Sequence, residues 1–238
     1  MPSGTMNNLD PTGTSFTTAL ERLKRDGSSV LVVGSVGERQ RQHVTSRLLG
    51  DDAEQQRRRI LVTTTGEGID EHIHQANSVD ETTVIQYDGD GVTRGTTVAP
   101  SVFTSPTSPP SPSDTDEATH PDTLGDIGIA ISNAIDAFDD EALEPGTLRI
   151  GVDSLLPLLE RYGREAVFQF VHLLNGRVKA ANGMIHYHVP AAHDALIVSV
   201  LEPLFDITVV LREHDEAWQE QWILDDDHTS GWIPTEHL

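Results

Sequence analysis

The chain has 238 residues, with 16 basic against 38 acidic side chains, a formal net charge of −22 and no cysteine. That length suits one or two domains able to bury a sizeable core. Such acidity disfavours a basic nucleic-acid-binding face, and the lack of cysteine excludes disulfide scaffolds, thiolate zinc sites and cysteine nucleophiles.

Residues 1–15 are polar and rich in Gly, Ser, Thr and Pro, and read as a disordered lead. From Ser15, SFTTALERLKRDG predicts an amphipathic helix with Phe16, Leu20 and Leu23 on one stripe and Gly27 at its exit. SSVLVVG is a short apolar run, as in a buried parallel strand. GERQRQHVTSRLLGDD predicts a helix closed by Gly50, RRRILVTTT a second strand, GIDEHIHQAN a short helix and TTVIQYD a third strand. Composition changes near residue 88. Residues 99–122 hold six prolines among many Ser and Thr, which cannot build a core and read as a disordered insertion. TLGDIGIAISNAIDAF then places Leu124, Ile127, Ile131 and Ile135 at helical spacing. TLRIGVDS is a strand, LLPLLERYG and REAVFQFVHLLNGRVKAAN are two helices, and the second ends at Asn182-Gly183. GMIHYHV is a strand, AHDALIVSVLEPLF a helix and DITVVLRE a strand. EAWQEQWILDDD and SGWIPTEHL close the sequence as an antiparallel hairpin or edge extension.

Strands alternating with helices predict an α/β fold, a mostly parallel sheet with helices on both faces. Residues 16–98 and 123–238 are expected to form two parts of one domain, interrupted by the 99–122 insertion.

VLVVGSVGERQRQHV has the strand–turn–helix context of a phosphate-binding P-loop, G-x-x-x-x-G-K-[ST]. Its glycines let backbone N–H groups wrap phosphates, its Lys neutralises charge, and its hydroxyl binds Mg²⁺. Gly34 and Gly37 occupy the turn, but the second glycine position is Arg39, the lysine position Gln40 and the hydroxyl position Arg41. The chain's two lysines, Lys24 and Lys179, are both remote in sequence. Three readings stay open: a plain tight β–α turn, a relic cradle in which Arg39 or Arg41 meets an anion at the helix N-terminus, and a competent Mg-nucleotide site. Further along, LRIGVDSL ends a strand in Asp153, where a Walker B acid would reach Mg²⁺ through water. Asp153 or Ser154 could equally cap the helix that follows.

The loop, the VDSL strand end and the element order resemble the RecA superfamily, nearest its KaiC/GvpD-like branch. DIGIAISNAI, VDSLLPLLERYGREAVFQFVHLLNGRVKAANGMIHYHVPAAHD, LEPLFD and WILDDDHTSGWIP further resemble haloarchaeal HTR-like proteins, a RecA-like family of unknown function. The likeness covers residues 16–100 loosely and 123–234 well. It implies a RecA-like sheet, with Gly34 and Gly37 at the phosphate turn and Asp153 at the Walker B position. Active KaiC-like enzymes carry two acids after the second strand. Here Gly66 and Glu67 stand there, so one acid is missing, and the resemblance implies the fold while arguing against ATPase activity. Relatives form rings or filaments, which makes a homo-oligomer an expectation by analogy alone.

His186 and His188 fall at i, i+2 on one strand face with His193 beyond, and with Asp194 could hold Zn²⁺. Central strand histidines that bond neighbouring loops are the alternative, and no metal is expected. His72 and His74 lie on a polar helix, where metal binding is not expected either. Ser154 has neither an identifiable base nor a G-x-S-x-G elbow, which argues against hydrolase chemistry. Arg57, Arg58 and Arg59 are expected to pair with surface acids, with an acidic partner as the alternative. Trp218 and Trp222, at i, i+4, are expected to cover the sheet edge, and with Trp232 to pack within the chain or form a protein-binding patch.

Abundant Asp with scarce Lys fits a cytosol at molar salt, where a Debye length of about 3 Å screens carboxylate repulsion. No basic region followed by an apolar run opens the sequence, and nothing approaches the ~20 apolar residues of a membrane span. The expectation is a cytoplasmic, halophilic, non-catalytic RecA/KaiC-like domain in a signalling or regulatory role, with protein partners, no membrane, no nucleic acid and no cofactor. The alternatives are a divergent ATPase switch, in which Arg39 or Arg41 replaces the lysine and Glu67 orients water with ATP and Mg²⁺ bound, and a DNA-associated recombinase paralogue.

Overall fold

A computed structural model of the chain describes residues 11–50, 57–65, 81–87, 92–98, 124–138, 144–215, 217–225 and 228–235. The predicted 99–122 insertion and the GIDEHIHQAN helix, with His72, His74 and Glu67, lie outside the described residues, as do residues 1–10 of the predicted lead.

Helix α1 (Pro11–Asp26) begins with proline at its first position, four residues before the predicted Ser15, because Pro is pre-organised for a helix start. Strand β1 (Ser28–Val33) is buried throughout. Its odd and even residues serve two different cores. Leu31 and Val33 face one, Val30 and Val32 the other, as the two-residue strand period requires. Helix α2 (Glu38–Leu49) ends on Gly50 in the left-handed region, where the Gly50 N–H donates to the carbonyls of Ser46 and Arg47. Next come β2 (Arg58–Thr63), β3 (Glu81–Tyr87) and β4 (Val92–Val98). The last of these was not anticipated from its sequence, GVTRGTTV, which lacks an alternating apolar pattern.

Helix α3 (Leu124–Phe138) buries Leu124, Ile127, Ile131 and Ile135, the four positions expected from their spacing. After β5 (Leu148–Val152), helix α4 (Leu156–Ala180) is broken at Gly163, φ 78° and ψ 168°. It therefore behaves as the two predicted helices joined by a kink. Strand β6 (Met184–Val189) is wholly buried. Helix α5 (Leu196–Leu201) is shorter than predicted, giving way to a 3₁₀ turn at Glu202–Leu204 whose Pro203 supplies no N–H for an α-helical bond. Then β7 (Ile207–His214), β8 (Ala217–Asp225), β9 (His228–Thr229) and β10 (Ile233–Pro234) complete the described chain.

One sheet joins these strands in the order β10-β8-β7-β1-β6-β5-β2-β3-β4, with β9 paired to β8. The six strands from β7 to β3 are mutually parallel. Antiparallel pairs flank them, β3 with β4 at one end and, at the other, β7 with β8, which in turn pairs with β9 and β10. This is the mostly parallel α/β architecture with an antiparallel C-terminal extension. α3, α4 and α5 bury their apolar residues on one face of the sheet, while residues of α1 and α2 pack on the other with Trp218 and Trp222 of β8. None of the described helices is long and apolar enough to cross a membrane.

Candidate functional site at the carboxyl ends of the parallel strands

In open parallel sheets, ligands bind outside the carboxyl ends of the strands. The loop from β1 to α2 lies there, beside the ends of β2, β5 and β6. A cleft of about 80 Å³ sits among them, lined by Glu38, Arg41, Gln42, Thr45, Thr65, Asp153, Ser154 and Pro190. Arg41 is thus brought to the consecutive pair Asp153-Ser154, far along the chain, while Gly34, Gly37, Arg39 and Gln40 do not line the cleft.

Gly34, with φ 141°, donates its N–H to the Ala191 carbonyl (2.9 Å). A Cβ added there would fall inside van der Waals distance of the Leu211 carbonyl oxygen and 2.9 Å from Leu211 Cβ. The glycine is needed because the β7 backbone at Leu211, running parallel to β1, lies directly beside it. Gly37 is different. It has an extended backbone and open space where a Cβ would go. Arg39 is exposed to solvent. Gln40, at the lysine position, is buried (7 % exposed) and donates from Nε2 to Thr235 Oγ1 at 2.9 Å. Arg41 folds back, donating from Nη1 to the Val36 carbonyl at 3.2 Å. In the same helix Gln42 donates to Glu38 Oε1 (2.9 Å).

Asp153 closes the ends of β5 and β2 together. Its Oδ1 accepts from the Thr64 N–H (2.8 Å) and lies 2.8 Å from Thr64 Oγ1. Its Oδ2 accepts from Thr65 N–H (3.4 Å) and Thr65 Oγ1 (2.8 Å). The Thr64 hydroxyl also approaches the Ser154 carbonyl at 2.7 Å, so its single proton is shared. Ser154 Oγ accepts from the Leu156 N–H at 3.2 Å, a turn that opens α4. Of the two residues considered as caps, Ser154 is the one whose side chain bonds the start of the helix.

His186 and His188 share the β6 face turned toward α2, their rings 5.5 Å apart and edge-on. His188 Nε2 pairs with Thr45 Oγ1 at 2.9 Å in full burial. The His186 ring lies against Gly151 of β5, where a Cβ would come within 2.7 Å of it. The third imidazole does not join them: His193 Nε2 stands 3.4 Å from Glu202 Oε1 at the surface. Among the described residues no group of three or more His, Asp or Glu is placed to hold a metal ion.

Among the described residues the three consecutive arginines meet helix and loop ends. Arg59, 2 % exposed, donates to the carbonyls of Leu49 (3.2 Å) and Gly50 (2.9 Å), a cation at the C-terminus of α2. Arg57 donates to the Gly146 carbonyl (2.5 Å), and Arg58 stacks on the Phe138 ring. On β8, Glu220 is buried and bridged to Arg47 of α2, and it accepts from Trp222 Nε1 (2.9 Å). Trp218 and Trp222 pack over the core beside it. Trp232 packs against the opposite core and lies 3.6 Å under the Arg212 guanidinium. Sequence spacing carried no signal for the partners Thr64, Thr65, Thr235 and Leu211, each far along the chain from the residue it meets.

Residues 27–211 match the profile of a family of unknown function (DUF7504), and the chain belongs to that family. Comparison with curated proteins found no match. Among solved structures the chain is similar to the KaiC-like protein PH0186 from the hyperthermophilic archaeon Pyrococcus horikoshii OT3, at 13 % identity and a TM-score of 0.51. The similarity covers 88 % of this chain and 86 % of that one. It shows a RecA/KaiC-like fold.

Proposed function

We propose that the chain is a non-catalytic RecA/KaiC-like domain, a pseudo-ATPase acting as a signalling or regulatory interaction module in the cytosol of a halophile. One observation carries this reading: Gln40, at the lysine position, is buried and holds Thr235 of the C-terminal extension. A side chain spent on joining α2 to the extension is not available to phosphate.

A magnesium nucleotide does not fit the residues present. Gly34 is packed on Leu211, Arg41 is turned to a loop carbonyl, and Asp153 is met by four donors from Thr64 and Thr65. The cleft is about 80 Å³, against the ~300–1,000 Å³ of ordinary ligand pockets. The resemblance of the 123–234 block to haloarchaeal HTR-like proteins and the net charge of −22 support the setting. Titration calorimetry with Mg-ATP and a phosphate-release assay, both in multimolar KCl, test the reading. Neither binding nor turnover is expected. Micromolar Mg-ATP affinity with turnover abolished by Asp153→Asn would overturn it.

A divergent nucleotide-binding switch is favoured by a different observation: Arg41 and Asp153 line one cleft, and Gly37, next in the chain to the cleft-lining Glu38, has open space where a Cβ would go. In that reading Arg39 or Arg41 replaces the lysine and Glu67 orients water. It predicts thermal stabilisation by ATP that disappears when Arg39→Ala and Arg41→Ala are combined.

A further inference from the structure

At the amino ends of the parallel strands, away from the cleft, stands a group of guanidiniums that the loop reading does not use. Arg149 of β5 lies in register between Arg59 of β2 and Met184 of β6. Arg59 answers its charge with the Leu49 and Gly50 carbonyls at the end of α2. Arg149 is served differently. Its Nη1 donates to Met184 Sδ (2.8 Å), a weak acceptor. Its Nε is buried and meets no acceptor among the described residues. No carboxylate among them pairs with this guanidinium, in a chain that carries 38 acidic residues. The unused Nε–Nη2 edge is the one on which a guanidinium grips an oxyanion with two parallel bonds.

The surroundings of that edge fit an anion of a particular kind. Gly146 is left-handed (φ 77°), so its turn puts no side chain beside Arg149. A Cβ at Gly146 would stand 3.6 Å from Arg149 Nη2, 3.8 Å from Arg57 Nη1 and 3.5 Å from the Lys24 carbonyl oxygen at the end of α1. Two cations and one acceptor thus converge on a single spot. Arg57 Nη1 also donates to the Gly146 carbonyl (2.5 Å), and Arg57 counts here for its charge, whatever else it bonds. Burial and that neighbouring charge both push the Arg149 guanidinium below its ordinary pKa, as befits a cation lacking a counter-charge. A dianion matches two guanidiniums. A carbonyl in the same spot asks for an anion that also carries a proton, which hydrogen phosphate has and sulfate lacks.

We propose that Arg149 and Arg57 hold a hydrogen phosphate dianion beside Gly146, with two oxygens on the Nε–Nη2 edge of Arg149 and its proton donated to the Lys24 carbonyl. The inference stands apart from the reading of the β1–α2 loop and holds whether or not nucleotide binds there. Heteronuclear NMR of the arginine Nε–H groups tests it on the full chain, at fixed multimolar KCl and mildly alkaline pH. One resonance, absent from Arg149→Met, should move to saturation as inorganic phosphate is added. Arg149→Lys keeps the charge but loses the fork, and should weaken phosphate binding at least about tenfold with circular dichroism unchanged. Sulfate and phenyl phosphate, dianions without a proton to give, should bind more weakly than inorganic phosphate. An Arg149 resonance indifferent to phosphate overturns the proposal. So does a rise in melting temperature with phosphate that is as large in Arg149→Met as in the native chain. Sulfate binding as tight as phosphate overturns the choice of ligand.

Discussion

Gly34 and Gly37 stand in the same turn under different constraints, and that difference can be measured. At Gly34 a methyl group meets the β7 backbone at a φ that L residues rarely adopt. Gly34→Ala is expected to cost about 2–4 kcal/mol of stability. Gly37→Ala, with extended backbone and open space, should stay within about 1 kcal/mol. Denaturant unfolding of the two variants checks this, and equal small costs would show that β7 does not hold the turn. Arg149 offers a second test. Burial, and then the nearby Arg57 guanidinium, lower its pKa to about 10, below the ordinary guanidinium value. It remains charged at neutral pH, so the shift reflects the cost of keeping that charge in place. The unfolded chain holds this proton to higher pH than the folded one. The penalty is therefore full below pH 10 and fades as pH climbs from about 10 toward the ordinary guanidinium value. Arg149→Met should stabilise the protein by about 1–3 kcal/mol at neutral pH. Thermal unfolding across pH should show the gain shrinking at the alkaline end, and no gain at neutral pH would contradict the account.

Among elements, α4 shows how one residue can end a helix without ending the chain's direction. Gly163 occupies a region of backbone space open almost only to glycine, and nothing lies within 4 Å of the position a Cβ would take. Gly163→Ala should therefore cost about 1–3 kcal/mol through backbone conformation alone, with no clash for neighbours to relieve. Chemical denaturation would detect it, and an unchanged midpoint would mean that the helix runs straight without the glycine. α2 illustrates a different kind of control. Its apolar residues Val44 and Leu48 seat it on the sheet, but its polar ones decide what it touches. Gln40 reaches Thr235, Arg47 reaches Glu220, and Thr45 reaches His188. α2 is thus bound through its polar side chains to the C-terminal residues and to β6.

Over the whole molecule, charge sets the conditions under which these contacts persist. Sixteen basic residues cannot neutralise 38 acidic ones. Several basic residues are committed inside the fold, as Arg59 is to the end of α2 and Lys179 to Asp206 (2.7 Å). Repulsion among the remaining carboxylates is screened as the Debye length falls from ~10 Å at 0.1 M salt to ~3 Å at 1 M. The melting temperature should therefore rise with KCl over that range, followed by circular dichroism. A melting temperature independent of salt would sink the halophilic reading.

Local sequence was sufficient wherever an element's identity depends on its own residues. Apolar runs marked β1, β2, β5, β6 and β7 because both faces of a covered parallel strand must be apolar. The spacing of Leu124, Ile127, Ile131 and Ile135 marked the buried stripe of α3, and Gly50 and Asn182-Gly183 marked helix ends. β4 escaped notice, since an antiparallel edge strand needs only a neighbour's hydrogen bonds and no apolar pattern. For the site, sequence showed that the lysine, hydroxyl and second glycine positions hold Gln40, Arg41 and Arg39. It could not show what those residues do instead. Gln40 and Thr235 are 195 positions apart, and Asp153 meets Thr64 across 89. Such pairings depend on strand order, and only the folded sheet, with β5 between β2 and β6 and β7 against β1, brings their atoms within bonding distance.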